Sequence, residues 1–440
     1  MIDACRRVTR TWLAPRVRGC LDRPHPWETH VRVTTAFNRV LKVPGARVAS
    51  VSVTEAGIVV GLRRRGRWRR CPCGRRSRTR YDSSRRRWRH LDFATCRVWL
   101  EADVCRIDCR DCGRVRTEQV PWARPGARHS AQFEDLAAWL AQRMDKTGVA
   151  RLLRCSWEAV DRIVTRVVAD HIDDTRLDGL RRIGVDEISY RRGRRFLTVV
   201  ADHDTGRVVW IGKQRTKEAF EEFFAALGPH RAAQLEAVSM DASSVYLPVA
   251  REQVPQATIC LDPFHIVKWC GEALDAVFRS HPPDLPAETG WRPSRRHWKR
   301  ARYALRVAAE KLEPDLRSFV NALRRARYRL FRAWELKEQL RDLYRVIDPA
   351  DAVDYLKRWI TSALRSRINV YRTLARRIRK HFDAIIAAVH LGLSNSRLEG
   401  INAKIRLIQN RGYGYRNLDA LTAMIFLCLG KIEITLPTER

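Results

Sequence analysis

The feature that most constrains the fold is a block of five short β-rich runs between residues 183 and 262, interrupted by one helical pattern. Three runs come first, and the third ends at Ile211. A helix that Thr216 can cap follows, and two further runs end at Met240 and Leu261. The block predicts a mixed α/β sheet in which the ends of several strands come together.

Acidic residues stand at the ends of these runs: Asp186 ends the first, and Asp241 and Asp262 directly follow the fourth and fifth. Adjacent strand ends can place Asp186 and Asp241 so close that they repel unless cations neutralise them. Two Mg²⁺ (or Mn²⁺) ions would do so and would activate an oxygen nucleophile for in-line attack on phosphate. The element order is ribonuclease-H-like, and strand alternation predicts that Glu187 points away from Asp186.

A third metal ligand should come from a helix near the C-terminus. Glu399, Asn402 and Arg406 are spaced i, i+3 and i+7, which places them on one helical face. A carboxylate with amide and guanidinium neighbours suits a metal beside a phosphate, and Lys404 adds a second cation for DNA. The predicted catalytic and magnesium-binding residues are Asp186, Asp241 and Glu399.

Asp262 and His265, in the sequence LDPFH, lie beside this predicted site. Two roles for Asp262 are open: it can be an auxiliary metal ligand, or it can cap the helix that begins near Phe264. Capping is the favoured interpretation, and both residues are kept as auxiliary to the site.

Two cysteine pairs precede the acidic block. Cys71-Pro-Cys73-Gly and Cys109-Arg-Asp-Cys112-Gly form knuckle-like turns whose four thiolates can converge on one structural Zn²⁺. The first pair is one residue shorter than the usual C-x-x-C, so a fourth ligand from His90, Cys96 or Cys105 stays open. An arginine-rich stretch between the pairs indicates a zinc ribbon that faces phosphate.

A helix-turn-helix is predicted between the cysteine segment and the acidic block. Thr147 can cap a short helix and Ser156 a second one, with a tight turn between them. Arg162 and Arg166 lie four residues apart on the face of the second helix that we expect to be exposed, and we predict that they bind DNA. A helical bundle without groove contacts is the alternative.

The charge balance points to the same partner. Lys plus Arg total 85 against 49 Asp plus Glu, a net charge of +36, which fits a polyanion rather than a small metabolite. No apolar window is long enough to span a membrane, and the N-terminus lacks the apolar segment of a signal peptide. A cytoplasmic, nucleoid-associated bacterial protein with reduced cysteines is therefore expected.

Together these motifs resemble insertion-sequence transposases of the ISL3 type in the DDE superfamily. The resemblance runs from about Phe37 to Pro437. It rests on the cysteine pairs and on the stretches FNRVLKVPGARV, VPWARPGARHS, GVARLLRCSWEAV, IGVDEISYRRGRRFLTVVAD, VSMDASSVY, CLDPFHIVKW and SNSRLEGINAKIRLIQNRGYGYRN. It implies that Asp186, Asp241 and Glu399 form the acidic triad and that Arg406 is the basic residue that follows the last Glu.

The expected fold is a multidomain α+β protein with a zinc ribbon, a helix-turn-helix and a ribonuclease-H-like core interrupted by an all-helical insertion. The expected domains are a loose basic tail (1–36), the zinc ribbon (37–125), the helix-turn-helix (126–178), the first part of the core (179–264), the insertion (265–390) and the last part of the core (391–440).

The expected activity is magnesium-dependent cleavage and strand transfer of double-stranded DNA, at terminal inverted repeats and at a target, by a homodimer or higher oligomer. A ribonuclease-H-like nuclease or resolvase, and a DNA-binding regulator derived from a transposase, are the alternatives.

Overall fold

The structure is a computed structural model that describes residues 32–439, except 192, 194, 243–244, 281–294, 326–328, 346 and 416. The chain divides into two compact units, Met1–Phe133 and Glu134–Arg440. Most of the predicted tail (1–36) lies outside the described residues. Its last residues are not loose, because the first helix already begins at Val33.

The first unit is mainly β-structure. Its elements are α1 (Val33–Leu41), β1 (Ala46–Thr54), β2 (Gly57–Arg64), β3 (Arg69–Arg70), β4 (Arg76–Ser77), β5 (Asp82–Phe93), β6 (Cys96–Cys109) and β7 (Arg114–Thr117). A helix that begins in this unit, α2 (Ala131–Ala141), continues into the next.

One five-stranded sheet organises the first unit, in the order β1-β2-β6-β5 with β7 paired to β6. β1 and β2 form an antiparallel hairpin with Glu55 and Ala56 in its turn. Apolar residues of β6 alternate inward, so Val98, Leu100 and Ala102 are buried. They pack with Trp88 and Trp122 in a small core.

The second unit alternates helices and strands, then becomes helical. Its elements up to residue 262 are α3 (Lys146–Leu152), α4 (Trp157–His171), β8 (Arg182–Arg191), β9 (Arg195–Asp202), β10 (Val208–Lys213), α5 (Lys217–Leu227), α6 (Pro229–Ala232), β11 (Ala237–Met240), α7 (Tyr246–Gln253) and β12 (Thr258–Leu261).

The described residues between β12 and the C-terminus form helices and connecting segments only. The α-helices are α8 (Pro263–Arg279), α9 (Arg295–Arg306), α10 (Pro314–Arg325), α11 (Arg329–Asp342), α12 (Ala352–Arg365), α13 (Asn369–Lys380), α14 (Phe382–Leu391), α15 (Ser396–Arg411) and α16 (Leu418–Leu429). No described helix is long and apolar enough to cross a membrane.

The five predicted strands form one sheet, in the order β10-β9-β8-β11-β12. β8, β9 and β10 pair antiparallel, whereas β11 and β12 run parallel to β8. A large core surrounds the sheet and continues into the helices, with Phe220, Phe223 and Tyr246 fully buried. β8 is the central strand, with β9 on one side and β11 on the other. Side chains of β8 therefore lie next to those of β11.

Candidate active site

Asp186 and Asp241 occupy matching positions on neighbouring parallel strands. β8 and β11 are in register through Gly184 and Ser239, and each acid stands two residues further along its strand direction. The sequence predicts Asp186 at the end of the strand, but it lies inside β8. The reason is that β8 continues to Arg191 in its hairpin with β9. Asp186 is nevertheless past the end of the β8–β11 ladder, whose last pair is Gly184 and Ser239.

Gly184 explains how α15 reaches this sheet. A Cβ at this position would clash with Leu398 of α15 and would lie 2.8 Å from His203 Nε2 and 3.0 Å from Ser239 Oγ. Residue 184 must therefore lack a side chain for α15 to pack directly on β8. The predicted Glu399 helix is thus docked on the strand that carries Asp186.

Asn402 makes the contact between this helix and the acids. Its Nδ2 donates to Asp186 Oδ2 at 2.7 Å, and the residue is buried. Glu399 lies three residues earlier on the same helical face, and its side chain is exposed to solvent. Lys404 and Arg406 are also exposed on α15. The structure thus joins Asn402 to Asp186 and leaves Glu399 at the solvent edge.

Burial governs the charge of the acids. It raises the pKa of the Asp186 carboxyl to about 6 and that of the Glu187 carboxyl to about 7, and the nearby Asp241 carboxylate adds to both shifts. The Asp186 and Glu187 carboxylates are therefore destabilised in the absence of a compensating cation. Within the described residues, Glu187 Oε2 and Asn402 Oδ1 are buried and form no hydrogen bond.

Glu187 has a different partner from Asp186. It forms an ion pair of 2.8 Å with Arg215, and another nitrogen of the same guanidinium lies 3.7 Å from Asp241 Oδ2. The separate partners agree with the predicted alternation along β8. Arg215 also links Glu187 to Asp241, so Glu187 lies beside the predicted site although its partner differs from that of Asp186.

Asn395 ties the start of α15 to three strands. Its Oδ1 accepts from Ser239 Oγ at 2.6 Å, and its Nδ2 donates to the Val185 carbonyl at 3.4 Å. Its backbone N–H donates to Asp262 Oδ1 at 3.0 Å, and its carbonyl accepts the Glu399 N–H at 2.8 Å. One buried residue thus contacts neighbours of Asp186, Asp241 and Glu399.

Asp262 does not cap α8, although it stands at the N-cap position. Its carboxylate accepts from the Asn395 N–H and bonds His265 Nδ1 at 2.8 Å. This hydrogen bond raises the pKa of His265, against the opposing effect of burial. The favoured capping role was wrong because the competing donor, Asn395, comes from 133 residues later in the chain.

The four predicted cysteine ligands converge in the first unit. Sγ of Cys71 lies 3.8 Å from Sγ of Cys112, and Sγ of Cys73 lies 3.6 Å from Sγ of Cys109. Within the described residues they are the one group of three or more His, Cys, Asp or Glu side chains placed to share a metal ion. Cys71, Cys73, Cys109 and Cys112 are therefore sufficient without His90, Cys96 or Cys105.

The predicted helix pair is present as α3 and α4. Ser156 caps α4, since its Oγ accepts from the Ala159 N–H at 3.2 Å. Asp145, not Thr147, caps α3 through the Gly148 N–H at 2.9 Å. The left-handed φ of 51° at Arg154 closes the turn between the two helices.

The two arginines of α4 differ. Arg162 is exposed as predicted, whereas Arg166 is three-quarters buried and bonds the buried Glu134 carboxylate at 2.8 Å. The exposed-face assignment of Arg166 was wrong because α2 covers that part of α4. Arg162 alone of this pair is presented to solvent.

Half-buried carboxylates at adjacent strands, in a chain that also carries two helices with a tight turn, are typical of an enzyme that acts on nucleic acid. Comparison with known proteins identifies the family. Residues 183–425 match the family model of DDE transposases of the ISL3 type, described as a transposase. Residues 118–168 match the helix-turn-helix domain of transposase family ISL3.

Two groups of relatives agree with these matches. The chain is 42% identical over 416 residues to the transposase for insertion sequence element IS1557 from two strains of Mycobacterium tuberculosis, covering 89% of this chain and 91% of the relative. It is 29% identical over 346 residues to the transposase for insertion sequence element IS1001 of Bordetella parapertussis, covering 78% and 84%. The chain belongs to the ISL3 family of DDE transposases and is a DNA-binding transposase.

Proposed function

We propose that the chain cuts DNA at the ends of an insertion sequence and joins the freed 3′ ends to a target, with Asp186, Asp241 and Glu399 as the metal-binding triad. The observation that carries this proposal is the matched register of Asp186 and Asp241 on β8 and β11. The helix that carries Glu399 packs on β8 and already contacts Asp186 through Asn402. The exposed Glu399 side chain would complete the set when metal is bound.

The sheet supports a ribonuclease-H-like core. Three antiparallel strands followed by two parallel ones, in the order β10-β9-β8-β11-β12, agree with the arrangement expected from the sequence. The helices α8 to α14 separate β12 from α15, and α15 returns to β8. We therefore propose that the segment 265–390 is an insertion within the catalytic core, with the other domain limits as predicted from the sequence.

The residues present fit Mg²⁺ or Mn²⁺. Oxygen is the ligand atom that these ions prefer, and the site offers the Asp186 and Asp241 carboxylates together with the unbonded Glu187 Oε2 and Asn402 Oδ1. A bound pair of ions would activate the attacking oxygen and stabilise the leaving one. The raised pKa values of Asp186 and Glu187 fit a cluster that needs such a cation.

The chain's own residues would then hold and orient DNA. Asn402 holds the Asp186 carboxylate through its Nδ2, and Arg215 holds Glu187 and Asp241 at fixed distances. Lys404 and Arg406 are exposed on the same helix as Glu399 and can pair with phosphates beside the scissile bond. Asp262 holds the start of α15 by accepting the Asn395 N–H, and His265 bonds the other oxygen of the Asp262 carboxylate.

The first unit and the helix-turn-helix would recognise the terminal inverted repeats. Four converging thiolates suit one structural Zn²⁺, which would fix the turns on either side of Cys73 and Cys109. Arg162 is exposed on α4, in the position where recognition helices meet base edges. Two ends must be joined in one event, so we propose a homodimer or higher oligomer on DNA.

The test is a cleavage and strand-transfer assay on end-containing DNA with Mg²⁺. Asp186→Ala, Asp241→Ala and Glu399→Ala should each lower cleavage by about 1000-fold or more, because losing one ligand misplaces a metal. DNA binding should persist, since it depends mainly on Arg and Lys contacts to phosphate. Retained cleavage by Glu399→Ala would remove that residue from the triad.

The control for this test is Glu222→Ala, which removes an exposed acid of α5 and should leave cleavage unchanged. Glu187→Ala is expected to impair cleavage as well, because Glu187 shares Arg215 with Asp241. Cleavage without strand transfer by the wild-type protein would favour a nuclease or resolvase. Binding without cleavage would favour a DNA-binding regulator.

A further inference from the structure

A cleft of about 680 Å³ lies on the helical part of the second unit, between α11 and α12. The residues that line it are all cationic or hydroxyl-bearing: Arg332, Lys357, Arg358, Thr361, Ser362, Arg365 and Ser366. No carboxylate or amide side chain is among these lining residues. We call this set the basic cleft, and its chemistry suits a polyanion.

Helical geometry fixes the cations of the basic cleft on one side. Arg358, Ser362 and Arg365 are spaced i, i+4 and i+7 along α12 and share a face. The opposite face carries Trp359 and Ala363, which are buried in the core, so α12 cannot turn its arginines away. Arg358 and Arg365 are about 10 Å apart along the axis at 1.5 Å per residue.

The cations are held to different degrees. Arg332 bonds Ser362 Oγ and Glu335, so its guanidinium is fixed at the wall of the cleft. Lys357 lies 3.7 Å from Asp354, and both side chains are largely exposed, so this pair is weak. Arg358 and Arg365 are exposed.

In the part of the chain that the structure describes, neither Arg358 nor Arg365 forms an ion pair. Duplex DNA carries one negative charge per about 1.7 Å of its axis, so two guanidiniums about 10 Å apart can meet phosphates of one duplex together. Ser and Thr hydroxyls and a fixed Arg332 add donors for phosphate oxygens. The basic cleft therefore has the spacing and chemistry of a phosphate-binding surface.

We propose that the basic cleft binds the target DNA during strand transfer. This inference rests on the proposed function, because only strand transfer requires a second duplex. The lining offers donors that can bind phosphate oxygens. Apart from arginine, the side chains that often read base edges are Asn, Gln, Asp and Glu, and the lining contains none of these. Such a surface suits a duplex of no fixed sequence, whereas the helix-turn-helix is suited to the fixed sequence of the element ends.

The experiment separates the two DNA substrates. The full-length triple variant Lys357→Gln, Arg358→Gln, Arg365→Gln is assayed for end cleavage, and then for joining of precut ends to increasing amounts of plasmid target. We expect end cleavage within about twofold of wild type, and a target concentration for half-maximal joining that rises about tenfold. The dependence of joining on salt should also become shallower, since fewer counterions are released.

The matched control removes the same charge from a neighbouring helix. Arg372→Gln, Arg376→Gln, Arg379→Gln changes three exposed arginines of α13 that lie outside the basic cleft. An equal loss of joining in this control would overturn the proposal, because net charge alone would then explain the effect. Loss of end cleavage in the cleft variant would overturn it too, since the cleft would then bind element ends.

Failure of the proposed function has a different signature. If wild-type protein cleaves ends but never joins them, strand transfer itself is wrong, and so is the target role of the cleft. If wild type joins normally and the cleft variant also does, only the cleft proposal fails. The single variant Arg365→Glu, checked by thermal unfolding, guards against misfolding of the triple variant.

Discussion

The two units of the chain gather their functional side chains in opposite ways. In the first unit, four thiols from two glycine-ended turns converge within 4.8 Å of one another. One of its ion pairs, between Arg106 and Asp82, lies at the surface, where both side chains are about half exposed. In the second unit the half-buried Asp186 carboxylate is held by the Asn402 amide, and a buried hydrogen bond joins Ser239 to Asn395 nearby.

This difference separates a site formed by local turns from a site formed by tertiary packing. Cys71 and Cys73 need only the turn between β3 and β4, and the turn between β6 and β7 brings in Cys109 and Cys112. Asp186, in contrast, meets a helix that begins 210 residues later in the chain, after the strands and helices between have folded. The first site should therefore depend on its metal, and the second on the fit of α15.

The largest expected effect follows removal of zinc. Cys109→Ser, or chelation of zinc, should unfold the first unit, because structural zinc supplies on the order of 10 kcal/mol in small zinc-binding peptides. The second unit has its own large core and should stay folded. Hydrogen exchange measured by mass spectrometry reports both units at once, and specific binding to end DNA should be lost.

The control for zinc removal is Cys96→Ser, which changes an exposed cysteine outside the quartet and should be silent. Elemental analysis should show about one zinc per chain in wild type and none in Cys109→Ser. Unchanged exchange in the first unit after complete zinc loss would show that its hydrophobic core alone holds it.

The next largest effect should follow Gly184→Ala in the second unit. The added methyl group would clash with Leu398 and crowd His203 and Ser239, so α15 must shift away from β8. Overpacking of this kind costs about 1–3 kcal/mol, and a shift of the Glu399 helix should lower cleavage by about 100-fold. Chemical denaturation and the cleavage assay measure the two effects.

Gly271 provides the matched control. It lies in α8, where an added Cβ meets nothing within 4 Å, so Gly271→Ala should be neutral or stabilising by up to about 1 kcal/mol. If both alanine variants behave alike, close packing of α15 on β8 is not what positions the site.

The features that could be predicted from the sequence are those that depend on the geometry of one or two neighbouring elements. The zinc quartet follows from two turns whose glycines adopt positive φ, 94° at Gly74 and 63° at Gly113. The presence of the five sheet strands follows from their apolar runs, and the contact of Asn402 with the site follows from its i+3 spacing from Glu399. Each of these inferences needs only one or two elements.

Two of the misjudged residues have partners that are distant in sequence. Asp262 bonds Asn395 instead of capping its own helix, and Arg166 pairs with Glu134 of another helix. Glu187 is linked to Asp241 through Arg215, a residue that no motif singled out. A polar side chain can bond either a neighbour in sequence or a residue that the fold brings close. A single sequence does not show which of these two partners lies nearer in the folded chain.

A smaller effect is expected from Asn395→Ala. The substitution leaves Ser239 Oγ without its acceptor in a buried setting and should cost about 1–3 kcal/mol. Because Asn395 joins α15 to three strands, cleavage should fall more than end-DNA binding does. Asn410→Ala, at an exposed position of the same helix, is the control. Equal losses of cleavage in the two variants would contradict a positioning role for Asn395.

The smallest effect is the response of the two units to pH, which should have opposite signs. Burial lowers the pKa of His90 in the first unit to about 4, from 6.5. The unfolded chain therefore binds more protons between pH 4 and 6.5, and the first unit loses stability as pH falls. Acidification to pH 5 should lower the free energy of unfolding of the first unit by about 2 kcal/mol, because pH 5 is about 1.5 pH units below 6.5 and each unit contributes about 1.36 kcal/mol.

The second unit should respond in the other direction when magnesium is absent. Burial raises the pKa of Asp186 from 3.8 to about 6, so the folded state binds more protons in that window and gains stability as pH falls. Hydrogen exchange at pH 7 and pH 5, corrected for intrinsic rates, should show the first unit loosening while the second tightens. His90→Gln should weaken the first trend, to which protonation of the zinc-binding thiolates also contributes. Asp186→Asn should weaken the second, to which the raised pKa of Glu187 also contributes. If either variant keeps the full wild-type trend, the substituted group does not contribute to it.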